Sequence, residues 1–200
     1  MRVILRVLLP LFALLGAASL RGQAIITINF DNLAAFSQPA EQYAFEGIHF
    51  LGGDAGIQNG LTNGDSGNWG VDGTNGPYFL GFNGGTYSET ITIDKPVTSF
   101  SLDVSRTSGG AATDTFTLTA LAGSTPVATQ TVTLVTQNVW QTVTLNVGSP
   151  MITSLQLSGA GGSFHPYGVD NLQFDAVPEP AVCALLGGGL LGIAWLRRRR

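Results

Sequence analysis

Oxygen-bearing side chains stand at three places where they could bind a metal ion. Asp31 and Asn32 follow the first predicted strand, Glu46 lies in the second, and Asp170 and Asn171 lie in the last. First and last strands commonly pair in sandwich folds, which would bring these groups together. Calcium takes six to eight oxygen ligands of these types. We therefore predict a structural calcium site with Asp170 as the best ligand and Asp31 and Glu46 as helpers. The alternative is that all are ordinary solvated turn residues.

Two patterns typical of enzymes occur in the wrong context. Residues 64–67 spell GDSG, the sequence around the nucleophile of chymotrypsin-like proteases, but that serine needs a base histidine. His49 lacks the flanking pattern of that histidine, and GDSG arises readily in a loop rich in Gly, Asn and Asp. Gly187, Gly189 and Gly192 satisfy GxGxxG without a preceding strand. We predict no enzymatic activity.

The histidines and the single cysteine do not form a recognisable metal site. His49 and His165 are the two histidines, and Cys183 lies in an apolar segment near the end of the chain. This leaves no spacing typical of structural zinc and no disulfide in the central part of the chain.

Two tryptophans are candidate sugar-binding platforms. Trp140 shares a strand face with Thr142 and Thr144, opposite the apolar face of Val143, which suggests exposure. Trp69 lies in a long loop, residues 52–77, that is rich in Gly, Asn and Asp. Both rings could instead cover the edge of the core, so the two interpretations stay open.

The middle of the chain predicts an all-β fold. Short runs with period-two alternation and abundant Thr and Val, separated by Gly, Asn, Asp and Ser, indicate eight to ten strands. We expect a two-sheet sandwich of jelly-roll type, with an immunoglobulin-like sandwich as the rival. The predicted core residues are Phe100, Leu102, Val104, Phe116, Leu118, Val132, Leu134, Val143, Leu145, Leu155, Leu157, Leu172 and Phe174.

The charges are distributed unevenly along the chain. Between residues 25 and 176 the only basic side chains are Lys95 and Arg106, against twelve carboxylates, so this part carries about ten negative charges. Such a field repels phosphate backbones, which excludes nucleic acid as a partner and favours divalent cations.

Both ends carry membrane-directing signals. Arg2 and Arg6 precede an apolar run and a small-residue cut site after Ala24, which is typical of a signal peptide, with an uncleaved anchor as the alternative. Residues 181–196 are uncharged and precede a basic tail, which predicts a single transmembrane helix with a cytoplasmic end. The predicted organisation is signal peptide 1–24, ectodomain 25–176 and C-terminal segment 177–200.

The last two dozen residues resemble the PEP-CTERM sorting signal of Gram-negative bacteria. The triplet Pro178, Glu179 and Pro180 precedes the apolar helix, and the chain closes on Arg197, Arg198, Arg199 and Arg200. The resemblance implies export by the general secretion machinery, transient residence in the inner membrane and cutting near the triplet by an exosortase. It further implies a final location at the cell surface or outside the cell. A permanent C-terminal anchor is the alternative.

The closing run YGVDNLQF, residues 167–174, resembles the terminal strand of carbohydrate-binding jelly-roll modules. In those modules an aspartate or asparagine near the chain end helps to hold a structural calcium. The likeness covers about eight residues and places Asp170 at that position.

Three hypotheses for function remain. The first is a noncatalytic surface or extracellular-matrix protein, associated with exopolysaccharide and biofilm. The second is a module that binds a specific polysaccharide. The third is a polysaccharide hydrolase, which would need a close pair of carboxylates in a groove. We favour the first.

Overall fold

Eleven β-strands and one short 3₁₀ helix make up the described part of the chain in the computed structural model. The structure describes residues 25–53, 55–59, 69–82, 87–160 and 167–175. The 3₁₀ helix is Ala44–Glu46. The strands are β1 Ile25–Ile28, β2 Ile48–Gly53, β3 Ala55–Asn59, β4 Tyr78–Phe82, β5 Ser88–Val97, β6 Ser99–Arg106, β7 Thr115–Ala122, β8 Thr125–Thr133, β9 Gln141–Asn146, β10 Ile152–Ala160 and β11 Tyr167–Asp175.

The strands form two antiparallel sheets. The first sheet has the order β3-β4-β11-β6-β9, and β1 pairs with the end of β11. The second sheet has the order β2-β5-β10-β7-β8. The inward residues of both sheets belong to one hydrophobic cluster, so the sheets are the two layers of a sandwich. The predicted all-β, jelly-roll-like sandwich is confirmed.

The core follows the period-two pattern of the sequence. In β6, Phe100, Leu102 and Val104 are buried, and the residues between them face away from the core. All the predicted core residues are buried except Val132, which is partly exposed. Val132 lies in β8, an edge strand of the second sheet, where one flank has no neighbouring strand.

The run YAFEGIHF, residues 43–50, is predicted as one strand, but only its end is extended. The backbone N–H groups of Glu46 and Gly47 donate to the carbonyls of Tyr43 and Ala44, both at 3.0 Å, which closes the 3₁₀ turn. Gly47 has φ 78°, a left-handed conformation that glycine adopts readily, and it ends the turn before Ile48 starts β2.

The predicted loop of residues 52–77 also contains a strand that the sequence analysis missed. β3 pairs with β4 through Ile57 and Leu80, both fully buried. This strand was not predicted because Ile57 is its one large apolar residue, so its sequence shows no apolar alternation.

Residues Ile25–Ala176 form a compact unit of their own. All described strand pairs and the whole described core lie inside it. Because burial of apolar surface is the dominant stabilising term in folding, we expect this unit to fold without the rest of the chain.

Candidate functional site

The outward face of the first sheet carries a row of polar residues. Leu102 and Val104 of β6 point into the core, so Asp103 between them points outward. Its neighbour in β9 is Thr142, and its neighbour in β11 is Asp170. The row therefore crosses three adjacent strands of the sheet.

A hydrogen-bond network fixes the side chains of this row. Thr142 Oγ1 donates to Asp103 Oδ1 at 2.6 Å, and Asn171 Nδ2 donates to Asp103 Oδ2 at 2.9 Å. Asn75 Nδ2 in turn donates to Asn171 Oδ1 at 2.9 Å. We call Asp103, Thr142 and Asn171 the polar row. Its groups have fixed orientations, because each is bonded to another member or to the loop before β4.

A β-bulge gives Asn171 its place in the polar row. The pairing of β11 with β6 shifts register between Asp170 and Gln173, and Asn171 has φ 48°. Asparagine is among the few residues that tolerate this left-handed conformation. Bulges redirect side chains locally, and here the asparagine amide reaches Asp103.

Beside the polar row, an aromatic cover lies on the same face of the sheet. We use this name for Trp69, Val71, Phe79 and Trp140. The ring of Phe79 packs edge-on against both indoles, with centroid distances of 6.0 Å to Trp69 and 6.1 Å to Trp140. Gly168 in β11 makes room for Phe79, since a Cβ there would stand 2.6 Å from its ring.

The two tryptophans have different environments. Trp69 is only 3% exposed, so its ring offers no face to a ligand and covers the outer side of the sheet. Trp140 is partly exposed, and its indole N–H donates to the carbonyl of Asp72 at 3.0 Å. Trp140 stands two residues before Thr142, beside the polar row. The alternative left open by the sequence, an edge cover, applies to Trp69, and sugar binding by Trp140 stays a prediction.

Asp170 is fully buried and holds the loop before β4. Its Oδ2 accepts hydrogen bonds from Thr74 N at 2.7 Å and Thr74 Oγ1 at 2.8 Å, and its Oδ1 accepts from Asn171 N at 2.7 Å. Burial raises the pKa of Asp170 to about 6, although these hydrogen bonds oppose the shift, and the charge of Asp31 adds to it. Ionisation of the Asp170 carboxyl group is therefore less favourable in the folded protein than in water.

Asp31 approaches the same loop from the end of β1. Its Oδ1 accepts a hydrogen bond from Tyr78 N at 3.3 Å. Gly76 faces the carboxylate so closely that a Cβ there would stand 2.1 Å from Oδ2. The structure thus brings together two of the three predicted calcium ligands around residues 73–78.

Glu46 is exposed on the 3₁₀ helix. Burial raises the pKa of Tyr43, and the charges of Glu46, Asp31 and Asp170 add to this effect. However, no group of three or more His, Cys, Asp or Glu side chains within the described ranges is arranged to hold a metal ion. Calcium binding stays a prediction.

His49 lies in β2 between two carboxylates. Its Nδ1 stands 2.5 Å from Glu41 Oε2 and its Nε2 stands 3.0 Å from Asp94 Oδ1. The hydrogen bonds with Glu41 and then Asp94 raise the pKa of His49, which favours a charged imidazolium bridging the two acids. The GDSG segment, His165 and Cys183 lie outside the described residues.

Asp103, Thr74 and Asn75 are site residues that were not predicted from the sequence. Asp103 could have been recognised only by its outward position in an alternating strand. Many polar residues without a functional role occupy such positions. Thr74 and Asn75 are far from Asn171 in sequence, and only the folded chain brings them together.

Comparison with known proteins adds a finding about the end of the chain. Residues 176–200 match the family profile described as the PEP-CTERM protein-sorting motif. The chain carries a PEP-CTERM sorting motif. The motif implies an exported protein that is sorted by an exosortase and passes through the membrane to the cell surface. This confirms the resemblance seen in the sequence, although the profile covers the sorting segment and not the sandwich.

The sandwich is similar in fold to two cleaved adhesin domains of Lys-gingipain. The K2 cleaved adhesin domain of Lys-gingipain matches with a TM-score of 0.52 and 14% identity over 76% of this chain and all of that one. The K1 domain, from Porphyromonas gingivalis, matches with a TM-score of 0.51 and 13% identity over 77% of this chain and 99% of that one. These likenesses show the fold alone.

More distant structural matches include carbohydrate-binding modules. A family 29 module matches with a TM-score of 0.44 and 13% identity over 80% of this chain and all of that one, too low to bear on function. No curated protein matches the sequence. The described residues contain no helix long and apolar enough to cross a membrane. The predicted signal peptide, the predicted helix 181–196 and the sorting residues lie outside the described residues.

Proposed function

We propose that the exported unit is a noncatalytic surface protein that binds polysaccharide on the outward face of its first sheet. The observation that carries the proposal is the polar row beside the partly exposed ring of Trp140. A sugar presents hydroxyls that both donate and accept hydrogen bonds, together with apolar C–H faces. Carboxylate, amide and hydroxyl groups suit the hydroxyls, and an indole suits the C–H faces.

The fixed orientation of the polar row favours binding. Asp103 and Asn171 are held by hydrogen bonds before any ligand arrives. Immobilising a flexible side chain on binding costs about 0.5–1.5 kcal/mol, and a group that is already ordered avoids most of that penalty. The face is therefore suited to an extended, hydroxyl-rich chain lying across the strands.

A binding role fits this face better than hydrolysis. Glycoside hydrolysis commonly uses two carboxyl groups about 5 to 10 Å apart on either side of the scissile bond. The polar row contains one carboxyl group, Asp103, and its neighbour Asp170 is fully buried, so the row offers a substrate no second carboxyl group. Noncatalytic binding remains the proposal.

The sorting motif suggests where this binding would act. An exosortase would release or re-anchor the sandwich outside the inner membrane, where exopolysaccharide accumulates around a Gram-negative cell. A protein that binds that polymer would be retained in the extracellular matrix or biofilm.

We further propose that calcium stabilises the sandwich at the loop of residues 73–78. Asp170 and Asp31 would supply carboxylate oxygens, and the loop would supply backbone carbonyls. The donors are hard oxygen ligands, which suit calcium, and the hydrogen bonds that reach Asp170 come from neutral donors. A cation would also offset part of the repulsion within a unit of about ten net negative charges.

A glycan array tests the binding proposal. The unit 25–176 is expected to bind a subset of the oligosaccharides. The variants Trp140→Ala and Asp103→Ala should lose binding to that subset. Gln156→Ala, on the outward face of the opposite sheet, is the matched control and should keep that binding. An array on which the wild-type unit binds nothing, or binds equally with Asp103→Ala, would contradict the proposed site.

We predict that the mature protein lacks both ends of the chain. It should begin near Ile25 and end close to the triplet Pro178 to Pro180, because a signal peptidase and an exosortase would each remove one segment. Intact-mass measurement on protein recovered from the cell surface or medium checks this. Changing Pro178 and Pro180 to alanine should leave export intact and retain the protein in the inner membrane. Recovery outside that membrane of a chain still ending in Arg200 would disprove processing.

A further inference from the structure

A long part of the sandwich contains no charged side chain. From Thr115 to Val169 the sequence has 55 consecutive residues without Asp, Glu, Lys or Arg. This run includes the whole of β7, β8, β9 and β10. The twelve carboxylates of residues 25–176 all lie outside it. One side of the sandwich is therefore uncharged while the unit as a whole is strongly negative.

The two strand edges on the opposite side of the sandwich are covered. β3 is the edge of the first sheet, and Ile57 exchanges backbone hydrogen bonds with Phe36 and Ser37, at 2.7 and 2.8 Å. β2 is the edge of the second sheet, and Phe50 N donates to Ala40 O at 3.0 Å. A single segment, residues 36–40, thus reaches the free flanks of both strands.

The edge formed by β8 is open. Leu134 N donates to Asp114 O at 2.9 Å, so even-numbered residues here direct their backbone groups toward β7. The side-chain amide of Gln141 reaches Thr133 O from the other flank. Since backbone direction alternates along a strand, the N–H and C=O groups of Thr129 and Thr131 point away from the sheet. Within the described part of the chain, no backbone hydrogen bond covers them.

From residue 128 to 133, β8 also lacks the features that usually protect an edge strand. Edge strands commonly carry lysines, inward-pointing charges or bulges that block pairing with another chain. The sequence TPVATQTVT contains no charge. Its proline, Pro126, lies beside a register shift in the pairing with β7, so both interruptions stand at the start of the strand. Two exposed valines, Val135 and Val139, follow in the connection to β9.

We propose that β8 is a self-association edge, through which two copies of this chain pair β8 with β8 in antiparallel orientation. The pairing would join two five-stranded sheets into one continuous ten-stranded sheet. The occupant is a second copy because the repulsion between two units of about ten negative charges is weakest where their uncharged sides meet. The edges of β3 and β2 are covered, and a contact of β8 with β8 uses one edge twice, so it closes as a two-fold dimer.

A charge-swap experiment on the unit 25–176 tests this inference. Thr131 is exposed on the outward face of β8. In an antiparallel pair, residue 131 lies within about 5–8 Å of its counterpart or its next neighbour. Thr131→Glu and Thr131→Lys should each give monomers, because like charges then meet. An equimolar mixture of the two variants should restore the dimer. Sedimentation velocity over a concentration series measures this as a twofold change in mass.

Matched controls separate edge pairing from other effects. Gln156→Glu adds the same charge to the central strand β10 and should leave the dimer intact. The unit has no cysteine, so Thr131→Cys should form an intermolecular disulfide under mild oxidation, whereas Gln156→Cys should not. Thermal melting confirms that each variant is folded. A wild-type unit that stays monomeric at every concentration, or a mixture that fails to restore the dimer, overturns the proposal.

Discussion

Replacing Trp69 by alanine is expected to lower the free energy of unfolding by about 3–5 kcal/mol. Trp69 is 3% exposed and packs edge-on against Phe79. Its removal leaves a cavity above the sheet, and an aromatic pair is lost as well. Because whole domains are stable by only about 5–15 kcal/mol, this is a large fraction of the total. Urea denaturation followed by circular dichroism measures the change.

Trp140→Ala is the matched control for Trp69→Ala. Trp140 contacts the same Phe79 ring but is partly exposed, so its removal should cost less stability. A Trp69→Ala variant as stable as the wild type would show that the packing of Trp69 on the outer side of the first sheet does not stabilise the fold.

The second large effect is expected from Asp170, whose ionisation should lower the stability of the fold in the absence of calcium. Burial raises the pKa of Asp170 from its ordinary value of 3.8 to about 6 in the folded state. Between these values the folded chain binds more protons than the unfolded chain. Stability contributed by this group is therefore present below about pH 4 and is lost as the pH rises to about 6. Two pKa units correspond to about 3 kcal/mol.

Thermal and urea unfolding of the unit 25–176 at several pH values, with chelator and with calcium, tests this expectation. Asp170→Asn cannot ionise, so in chelator it should lack the loss of stability between about pH 4 and pH 6. In calcium at pH 7 the wild-type unit should gain roughly 2.7 kcal/mol at one hundred times the dissociation constant, and Asp170→Asn should not. Asp94→Asn, which removes an exposed carboxylate from β5 instead, is the control and should retain the gain. Equal melting midpoints in calcium and in chelator would contradict the proposal that calcium stabilises the sandwich.

The fold class could be predicted from the sequence because it depends on local alternation. Phe100, Leu102 and Val104 mark β6 in a way that neither a helix nor a loop produces, and they are buried as expected. Elements set by tertiary contacts were harder to predict. β3 depends on its pairing with β4, and the 3₁₀ turn before Gly47 depends on a left-handed glycine within a run that otherwise alternates like a strand.

The candidate site could be predicted only in part. Asp31 and Asp170 were expected to meet because first and last strands pair, and they do approach one loop from its two sides. The polar row could not be foreseen, since the contact between Asp103 and Asn171 depends on the bulge in β11. Trp69 and Trp140 looked alike in sequence, and only the position of the loop makes one buried and the other partly exposed.

The most direct test of the binding claim is a calorimetric titration of the unit 25–176 with exopolysaccharide purified from the bacterium that produces the protein. We expect saturable binding by the wild-type unit and by Gln156→Ala. We expect Trp140→Ala, shown by melting to be folded, to lose about tenfold or more in affinity, or about 1.4 kcal/mol. Equal affinity of Trp140→Ala and the wild-type unit, or no heat of binding from either, would contradict the assignment of the outward face of the first sheet as a polysaccharide site.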